Sequence, residues 1–179
     1  MERKVVLTGF MATGKSVVAA ALAQRLGWPL RDSDRQLMDR AGKPIDQIFH
    51  DDGEAGFRAL ERQVITQLAS EPGATVIATG GGAIVDDSNF DALAAVGEIF
   101  CLTARPEVII KRLGAGIRKR PKLLEGGKSL DVRIGELMAE RAGAYARAHH
   151  AIDTSELTVD ETVEQIVKIL REDRCRRSA

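Results

Sequence analysis

Short apolar runs alternate with segments whose apolar residues recur at helical spacing along most of this chain. The runs predict five strands, at residues 4–8, 28–32, 74–79, 97–102 and 150–153. The helical stripes predict helices around residues 57–68, 130–138 and 159–170. Strands that alternate with helices favour a parallel sheet covered on both faces. We therefore predict a three-layer α/β fold with a central five-stranded parallel sheet flanked by helices.

A glycine-rich segment between the first predicted strand and the next helix carries the clearest chemical signal. Residues 9–16 read GFMATGKS and fit the P-loop pattern G-x-x-x-x-G-K-[ST]. In such loops, backbone N–H groups at a helix N-terminus surround phosphates, Lys15 reaches the outer phosphates, and the Ser16 hydroxyl can ligate Mg²⁺. A chance glycine-rich turn is the alternative. The strand–loop–helix context favours a nucleoside triphosphate site.

Length and composition restrict the function class further. The 179 residues suit a single domain over 1–179, with 44% hydrophobic and 29% charged residues. Lys+Arg and Asp+Glu both number 26, so the net charge does not attract nucleic acid or anionic membranes. No apolar run approaches the roughly 18 residues of a membrane span, and the N-terminus lacks a signal-peptide pattern. We expect a cytoplasmic enzyme that binds neither nucleic acid nor membrane.

The two cysteines do not suggest a further site. Cys101 lies in a strand-like apolar run, whereas Cys175 lies in a charged tail far away in sequence. Different surroundings argue against a shared redox or metal-binding role.

Two aspartates mark the end of the second predicted strand, in the run Arg31-Asp32-Ser33-Asp34. Because ligands of parallel sheets bind outside the carboxyl ends of the strands, Asp32 and Asp34 should face the P-loop. Alternation along a strand would put both side chains on the same side. One carboxylate could hold the water shell of a metal, while the other accepts a hydrogen bond from a substrate hydroxyl. The alternative is that one of them caps the following helix.

Charged residues interrupt two of the predicted apolar stripes. Arg141 lies about 20° from Leu130 around its helix and so shares the core-facing stripe. A buried guanidinium needs either a partner acid or an anionic ligand. We favour a ligand carboxylate, because arginine binds carboxylates through a bidentate fork. Arg58 and Glu61 are three residues apart on the 57–68 helix and can form an ion pair, which could be purely structural.

Two glycine-rich segments complete the set of candidates. Gly80, Gly81 and Gly82 directly follow the third predicted strand, where each glycine carries an entropic cost. This position predicts a close approach of the backbone to a ligand, with a flexible turn as the alternative. Residues 114–128 combine glycines with five basic side chains. They could form a lid over phosphates or a solvated surface loop.

Taken together, these motifs resemble the shikimate kinase family from end to end. The matching residues are the P-loop at 9–16, Asp32-Ser33-Asp34, Ile48-Phe49, Gly53-Glu54, Phe57-Arg58, Glu61, Gly80-Gly81-Gly82, Arg120-Pro121, and Arg141 with Tyr145. The resemblance implies a P-loop nucleoside-kinase-like fold, with a substrate-binding segment at about 33–61 and a lid at about 114–128. It also implies a monomer that transfers the ATP γ-phosphate to the 3-hydroxyl of shikimate, on the route to chorismate and the aromatic amino acids.

The resemblance also implies roles for individual residues. Lys15, Asp34 and Arg120 would be the catalytic set, and Ser16 with Asp32, acting through water, would hold Mg²⁺. Arg58 and Arg141 would hold the shikimate carboxylate, and Asp34 the hydroxyls. The remaining substrate contacts would be Glu61, Gly80, Gly81 and Gly82. ATP would be bound by Ala12, Thr13, Gly14, Lys15, Ser16, Val17 and Arg120.

The chain departs from the family pattern at several positions. Ala12 replaces a usual glycine, which costs little if its backbone angles are ordinary. Val17 removes a hydroxyl near the α-phosphate, and Lys122 adds charge within the lid. Residues 154–158 lack the arginine that the family often carries near adenine, so the sequence assigns no adenine contact. Two alternatives stay open: another small-polyol or sugar-acid kinase, and a non-catalytic ATP-binding regulator.

Overall fold

A computed structural model of the chain describes residues 4–114 and 129–177. Its strands are β1 (Lys4–Gly9), β2 (Leu30–Asp32), β3 (Thr75–Ala78), β4 (Gly97–Thr103) and β5 (His150–Asp153). Its helices are α1 (Lys15–Leu26), α2 (Ser33–Ala41), α3 (Ile45–Ser70), α4 (Asp87–Ala94), α5 (Pro106–Leu113), α6 (Leu130–Tyr145) and α7 (Val159–Arg177). A short 3-10 helix at Ala83–Val85 follows β3.

The five strands form one parallel sheet in the order β2-β3-β1-β4-β5. β1 is central, with Val6 opposite Ile77 of β3 and Ile99 of β4. The glycine-rich loop therefore leaves the middle of the sheet at its carboxyl edge, which is the position where parallel sheets bind ligands. The predicted α/β architecture and its five strands are confirmed, with bounds that differ by at most two residues.

Apolar side chains cover both faces of this sheet. Val5 and Leu7 of β1 belong to one cluster, which α1 and α7 complete. Val6, the residue between them, belongs to a second cluster with α3 and α4. Strands buried on both faces have continuous apolar sequences, which explains why they were recognisable as runs. A third cluster around Phe10 joins α5 to α6.

Helix α3 is interrupted at Gly53. This residue has φ 69° and ψ −177°, a backbone conformation that is essentially restricted to glycine. The helix therefore consists of two segments, 45–52 and 54–70. Phe49 in the first segment stacks on Phe57 in the second, with ring centroids 4.3 Å apart.

Two sequence predictions concern the lid and the membrane. Of the predicted lid at 114–128, only Gly114 belongs to the described residues, so residues 115–128, Arg120 and Lys122 among them, lie outside them. Among the helices of residues 4–114 and 129–177, none combines the length and apolar character that a bilayer span requires.

Candidate active site

The glycine-rich loop connects β1 to α1. Gly14 precedes the first residue of α1 and has φ 94°, in the left-handed region. The Phe10 carbonyl accepts hydrogen bonds from Thr13 Oγ1 and Lys15 Nζ, both at 2.8 Å. These two bonds close the loop into a compact turn. Since the first N–H groups of a helix have no carbonyl partner within that helix, the start of α1 suits an anion.

Ala12 is the only non-glycine residue with positive φ in the described part of the chain, at 60°. The condition under which alanine would cost little at this position, an ordinary backbone conformation, is therefore not met. A left-handed conformation costs a residue with a Cβ about 1–2 kcal/mol. The loop thus contains local strain at the position where the family usually has glycine.

A cavity of about 930 Å³, which we call the large cavity, lies beside the loop. The predicted site residues that line it are Ala12, Gly14, Lys15, Ser16, Val17, Asp32, Asp34, Arg58, Glu61, Gly80, Gly81, Gly82 and Arg141. Thr13, which belongs to the loop itself, does not line this cavity and has only 1% of its surface exposed. Of all predicted site residues, only Arg120 lies outside the described part of the chain. The sequence had not indicated the apolar wall formed by Met11, Met38, Pro44, Ile45, Phe49 and Phe57.

The two aspartates line the large cavity from different elements. β2 ends at Asp32, whose Oδ1 accepts the backbone N–H of Arg35 at 3.1 Å and so caps α2. Asp34 lies in the first turn of α2. The strand-alternation argument is therefore wrong, and the capping alternative is correct for Asp32. A carboxylate has about four acceptor positions, so a capping aspartate can still accept a hydrogen bond from water.

The glycine triplet, Gly80–Gly82, provides room for three side chains of the large cavity. None of its φ angles is in the left-handed region, so the requirement for glycine here is steric. The side-chain atoms closest to an added Cβ would be Asp34 Oδ1 at 2.6 Å from Gly80, Arg141 Nη1 at 3.5 Å from Gly81, and Arg58 Nη2 at 3.0 Å from Gly82. The Gly80 N–H donates to Ser33 Oγ at 3.0 Å, which fixes the triplet against the start of α2.

Arg58 and Glu61 form the predicted ion pair, with Nη1 2.6 Å from Oε2. Only 3% of Glu61 is exposed. This burial raises the pKa of the Glu61 carboxyl, and the charge and hydrogen bond of Arg58 oppose the rise without cancelling it. Arg58 also lies 3.4 Å from Glu54 Oε1, and its guanidinium carbon is 5.2 Å from the Phe57 ring centroid. Its position at the cavity wall is thus fixed from several sides.

Arg141 approaches the same cavity from α6. Its guanidinium carbon lies 5.6 Å from the Phe10 ring centroid, within range for a cation–π contact. Phe10 shares the third apolar cluster with Ile134 and Leu137 of α6, which agrees with the predicted core-facing stripe. One turn after Arg141, the Tyr145 hydroxyl donates to the Gly81 carbonyl at 2.6 Å. Burial raises the pKa of Tyr145, and the Arg141 charge opposes this rise.

A second cavity of about 470 Å³, which we call the small cavity, also adjoins the loop. Ala12, Gly14 and Val17 line both cavities. The loop and α1 also contribute Thr13 and Val18. The remaining wall comes from α5, the segment after β5, and α7, with residues Arg112, Leu113, Thr154, Leu157, Thr158, Val159 and Thr162.

Arg112 is the functional candidate that the sequence analysis missed. It lies in the last turn of α5 and donates to Thr154 Oγ1 at 3.0 Å and to the Thr154 carbonyl at 2.6 Å. Thr154 Oγ1 is in turn 3.0 Å from the Thr13 carbonyl. The sequence assigned no adenine contact because residues 154–158 contain no arginine. The available signal was that α5 follows β4 at the carboxyl edge of the sheet and ends in a basic pair.

Comparisons with known proteins point to one family. A family model described as shikimate kinase matches residues 11–171. A curated shikimate kinase of Geobacter sulfurreducens is 44% identical over 170 residues, covering 95% of this chain and 92% of the relative. A curated shikimate kinase of Desulforudis audaxviator is 42% identical over 170 residues, covering 95% of this chain and 87% of the relative. The solved structure of a shikimate kinase from Acinetobacter baumannii in complex with shikimate has a TM-score of 0.89 at 30% identity, covering 97% of this chain and 95% of that one.

Proposed function

The chain belongs to the shikimate kinase family, and we propose that it carries out its reaction across the two cavities that share the P-loop. It is an ATP-dependent phosphotransferase that acts on shikimate. In this proposal the γ-phosphoryl group of ATP passes to the 3-hydroxyl of shikimate, on the route to chorismate. The observation that carries the residue assignment is the convergence of Asp34, Arg58 and Arg141 with the P-loop on the large cavity. We further propose a cytoplasmic monomer consisting of one domain.

The shikimate carboxylate would bind between the two arginines. Arg58 lies against Gly82 and Arg141 against Gly81, so both guanidinium groups lie beside the glycine triplet. Each guanidinium has a planar set of donors that matches a carboxylate. Glu61 neutralises part of the Arg58 charge and holds one of its nitrogens. Recognition of the acceptor would therefore depend on both arginines, with Glu61 as a positioning residue.

Phosphoryl transfer would depend on the charged groups that line the large cavity together with the arginines. Asp34 would accept the hydrogen bond of the attacking hydroxyl and orient it toward the phosphorus. Lys15 would stabilise the negative charge of the transferring group. Arg120, from the part of the chain that the structure does not describe, would add a second positive charge. These groups supply positioning and electrostatic stabilisation, which are the main requirements of phosphoryl transfer.

The residues beside the P-loop suit Mg²⁺. Ser16 offers a hydroxyl, and Asp32 offers its second carboxylate oxygen, beyond the one that caps α2. Oxygen donors and retained waters are what Mg²⁺ prefers. Ser16 would ligate the ion directly and Asp32 would hold one of its waters. The ion would neutralise charge on the phosphates.

The small cavity is the proposed site of the nucleoside. Three of its lining residues, Ala12, Gly14 and Val17, also line the large cavity, so a bound nucleotide could extend from one cavity into the other. Leu113, Leu157 and Val159 provide apolar surface for a base. Arg112 lies in the same wall, where its guanidinium can stack on a ring.

The experiment that tests this proposal is ADP release measured with shikimate, quinate or gluconate as the acceptor. We expect efficient turnover with shikimate alone, and a large loss when the shikimate carboxylate is replaced by an amide. Equal binding of acid and amide would refute the carboxylate pocket. Comparable turnover with gluconate would refute the assignment of the acceptor.

A further inference from the structure

The hydroxyl of Tyr145 connects α6 to the glycine triplet at the large cavity. It donates to the Gly81 carbonyl at 2.6 Å, between residues 64 positions apart in the sequence. Gly81 lines the large cavity, whereas Tyr145 is not among the described residues that do so. Any effect of Tyr145 on a bound substrate therefore has to pass through the residues that it holds.

The ring of Tyr145 is fixed by packing. It is partly buried and packs against the second apolar cluster, which includes α3 and α4, and against the third, around Phe10. Packing between two clusters leaves a side chain few alternative rotamers, so the hydroxyl has a defined position. Burial also raises the pKa of Tyr145, so the hydroxyl keeps its proton near neutral pH and remains a donor.

Helix α6 presents Tyr145 and Arg141 on the same face. The two residues are four positions apart, a spacing that makes side chains neighbours on a helix surface. Arg141 Nη1 would lie 3.5 Å from a Cβ on Gly81, the residue whose carbonyl Tyr145 binds. Because the helix fixes the spacing of the two side chains, the hydrogen bond from Tyr145 to Gly81 sets the distance between Arg141 and the glycine triplet.

A second hydroxyl holds the triplet from a different helix. Ser33 Oγ of α2 accepts the Gly80 N–H at 3.0 Å, and Asp34 directly follows Ser33. Each of the two hydroxyls thus lies within one helical turn of a proposed substrate contact, Asp34 on α2 and Arg141 on α6. The triplet is therefore the stretch of backbone that sets the spacing between these two contacts.

We propose that Tyr145 is a positioning residue for recognition of the substrate carboxylate, an inference that rests on the proposed function. Its hydroxyl would hold the triplet and Arg141 at the spacing that a carboxylate requires. Removal of the hydroxyl would leave the Gly81 carbonyl without this partner, so the loop after β3 could shift relative to α6. Such a shift would weaken carboxylate binding and leave the P-loop and its nucleotide in place.

The test is steady-state ADP release by Tyr145→Phe, which keeps the ring and removes only the hydroxyl. We expect the KM for shikimate to rise about 5- to 10-fold, as for the loss of one hydrogen bond. Both kcat and the KM for ATP should stay within about twofold of wild type. The preference for shikimate over its amide analogue should shrink by the same factor as the KM rises. An unchanged KM for shikimate, or an equal rise for acid and amide, would overturn the proposal.

A double-mutant cycle shows whether the hydroxyl acts through the arginine. Residues that act through one another have non-additive effects. In an Arg141→Ala background, Tyr145→Phe should therefore raise the KM for shikimate by less than about twofold. A further rise as large as that in the wild-type background would mean that the two residues act independently, and would overturn the proposal.

Thr103→Val is the matched control for a general loss of stability. Thr103 Oγ1 donates to the Ile152 carbonyl at 3.3 Å, so this variant also loses one bond from a hydroxyl to a carbonyl. Thr103 lines neither cavity. Both variants should lose about 2–4 °C of melting temperature, but only Tyr145→Phe should change the KM for shikimate. An equal KM change in Thr103→Val would overturn the proposal.

A conservative replacement isolates the hydroxyl itself. Tyr145 is the single tyrosine of the chain, so incorporation of 3-fluorotyrosine alters this position alone. The labelled enzyme keeps the hydroxyl and should keep the wild-type KM for shikimate. A rise as large as that in Tyr145→Phe would show that the hydroxyl is not the responsible group.

The proposed function and the role of Tyr145 fail in different ways. If the wild-type enzyme binds shikimate and its amide equally well, the carboxylate pocket is refuted, and the role of Tyr145 with it. If the wild type prefers the acid and Tyr145→Phe keeps that preference in full, only the role of Tyr145 is refuted.

Discussion

Replacing Gly80 with alanine should displace Asp34 without disturbing the backbone of either residue. The new Cβ would lie 2.6 Å from Asp34 Oδ1, whereas ordinary contact begins at 3.4 Å. The carboxylate must therefore move by about 0.8 Å if the backbone stays in place. Because the φ of Gly80 is outside the left-handed region, the backbone accepts alanine.

The expected effect is on turnover rather than on nucleotide binding. A misplacement of about 1 Å in a catalytic group can reduce the rate on the order of 10²-fold. For a slightly smaller displacement we expect kcat to fall about 10- to 100-fold, while the KM for ATP stays nearly constant. The free energy of unfolding should change by less than about 1 kcal/mol, since the gain from replacing glycine offsets part of the crowding.

Two further glycines provide matched controls. A Cβ on Gly82 would lie 3.0 Å from Arg58 Nη2, so Gly82→Ala should raise the KM for shikimate more than it lowers kcat. Within the described residues, a new Cβ on Gly143 of α6 would meet no atom within 4 Å beyond its own stretch of helix, and Gly143→Ala should be kinetically neutral. The assay is coupled ADP release at varied shikimate and ATP. A wild-type kcat in Gly80→Ala, or the same kinetic signature in Gly80→Ala and Gly82→Ala, would refute the reasoning.

Four other outcomes are expected. Arg141→Ala should weaken shikimate binding by roughly 2–5 kcal/mol and ATP binding much less; equal effects in steady-state kinetics would contradict its role. Lys15→Ala should keep the fold, checked by circular dichroism, and lose about 10²-fold or more in kcat. Ala12→Gly should relieve backbone strain and raise the melting temperature by about 2–4 °C; a lower melting temperature would contradict the strain. Glu61 has a folded pKa above its unfolded value of 4.5, so its contribution to stability is present below pH 4.5 and lost as pH rises through the folded pKa. Glu61→Gln should therefore gain stability relative to wild type across that window in denaturant titrations, and the opposite slope would exclude the raised pKa.

The elements that the sequence predicted correctly are those whose signal lies in a continuous stretch of the chain. β1 and β4 are continuous apolar runs because they are buried on both faces, and the P-loop is a contiguous motif. β2 begins later than predicted, at Leu30, after Pro29, which has no N–H to donate. The prediction for Asp34 was wrong because the alternation of side chains along a strand was extended past Asp32. The chain already turns into α2 at that point.

The features that the sequence did not reveal depend on contacts between distant parts of the chain. Arg112 contacts Thr154, 42 residues away, and approaches Ala12, 100 residues away. No local periodicity encodes such pairs. The left-handed backbone of Ala12 results from closure of the loop on the Phe10 carbonyl rather than from its own side chain. The steric need for the glycine triplet likewise appears only when Asp34 and both arginines are in place.

The interruption of α3 at Gly53 has a consequence for how this protein family can vary. In an uninterrupted helix, residues eight positions apart are separated by about 12 Å along the axis. Phe49 and Phe57 nevertheless stack at 4.3 Å, so their contact requires the backbone that only glycine allows between them. Substitutions at residues 49, 53 and 57 are thus coupled, because loss of the glycine removes the backbone conformation that the aromatic pair requires. In sets of related sequences, these three positions should change together.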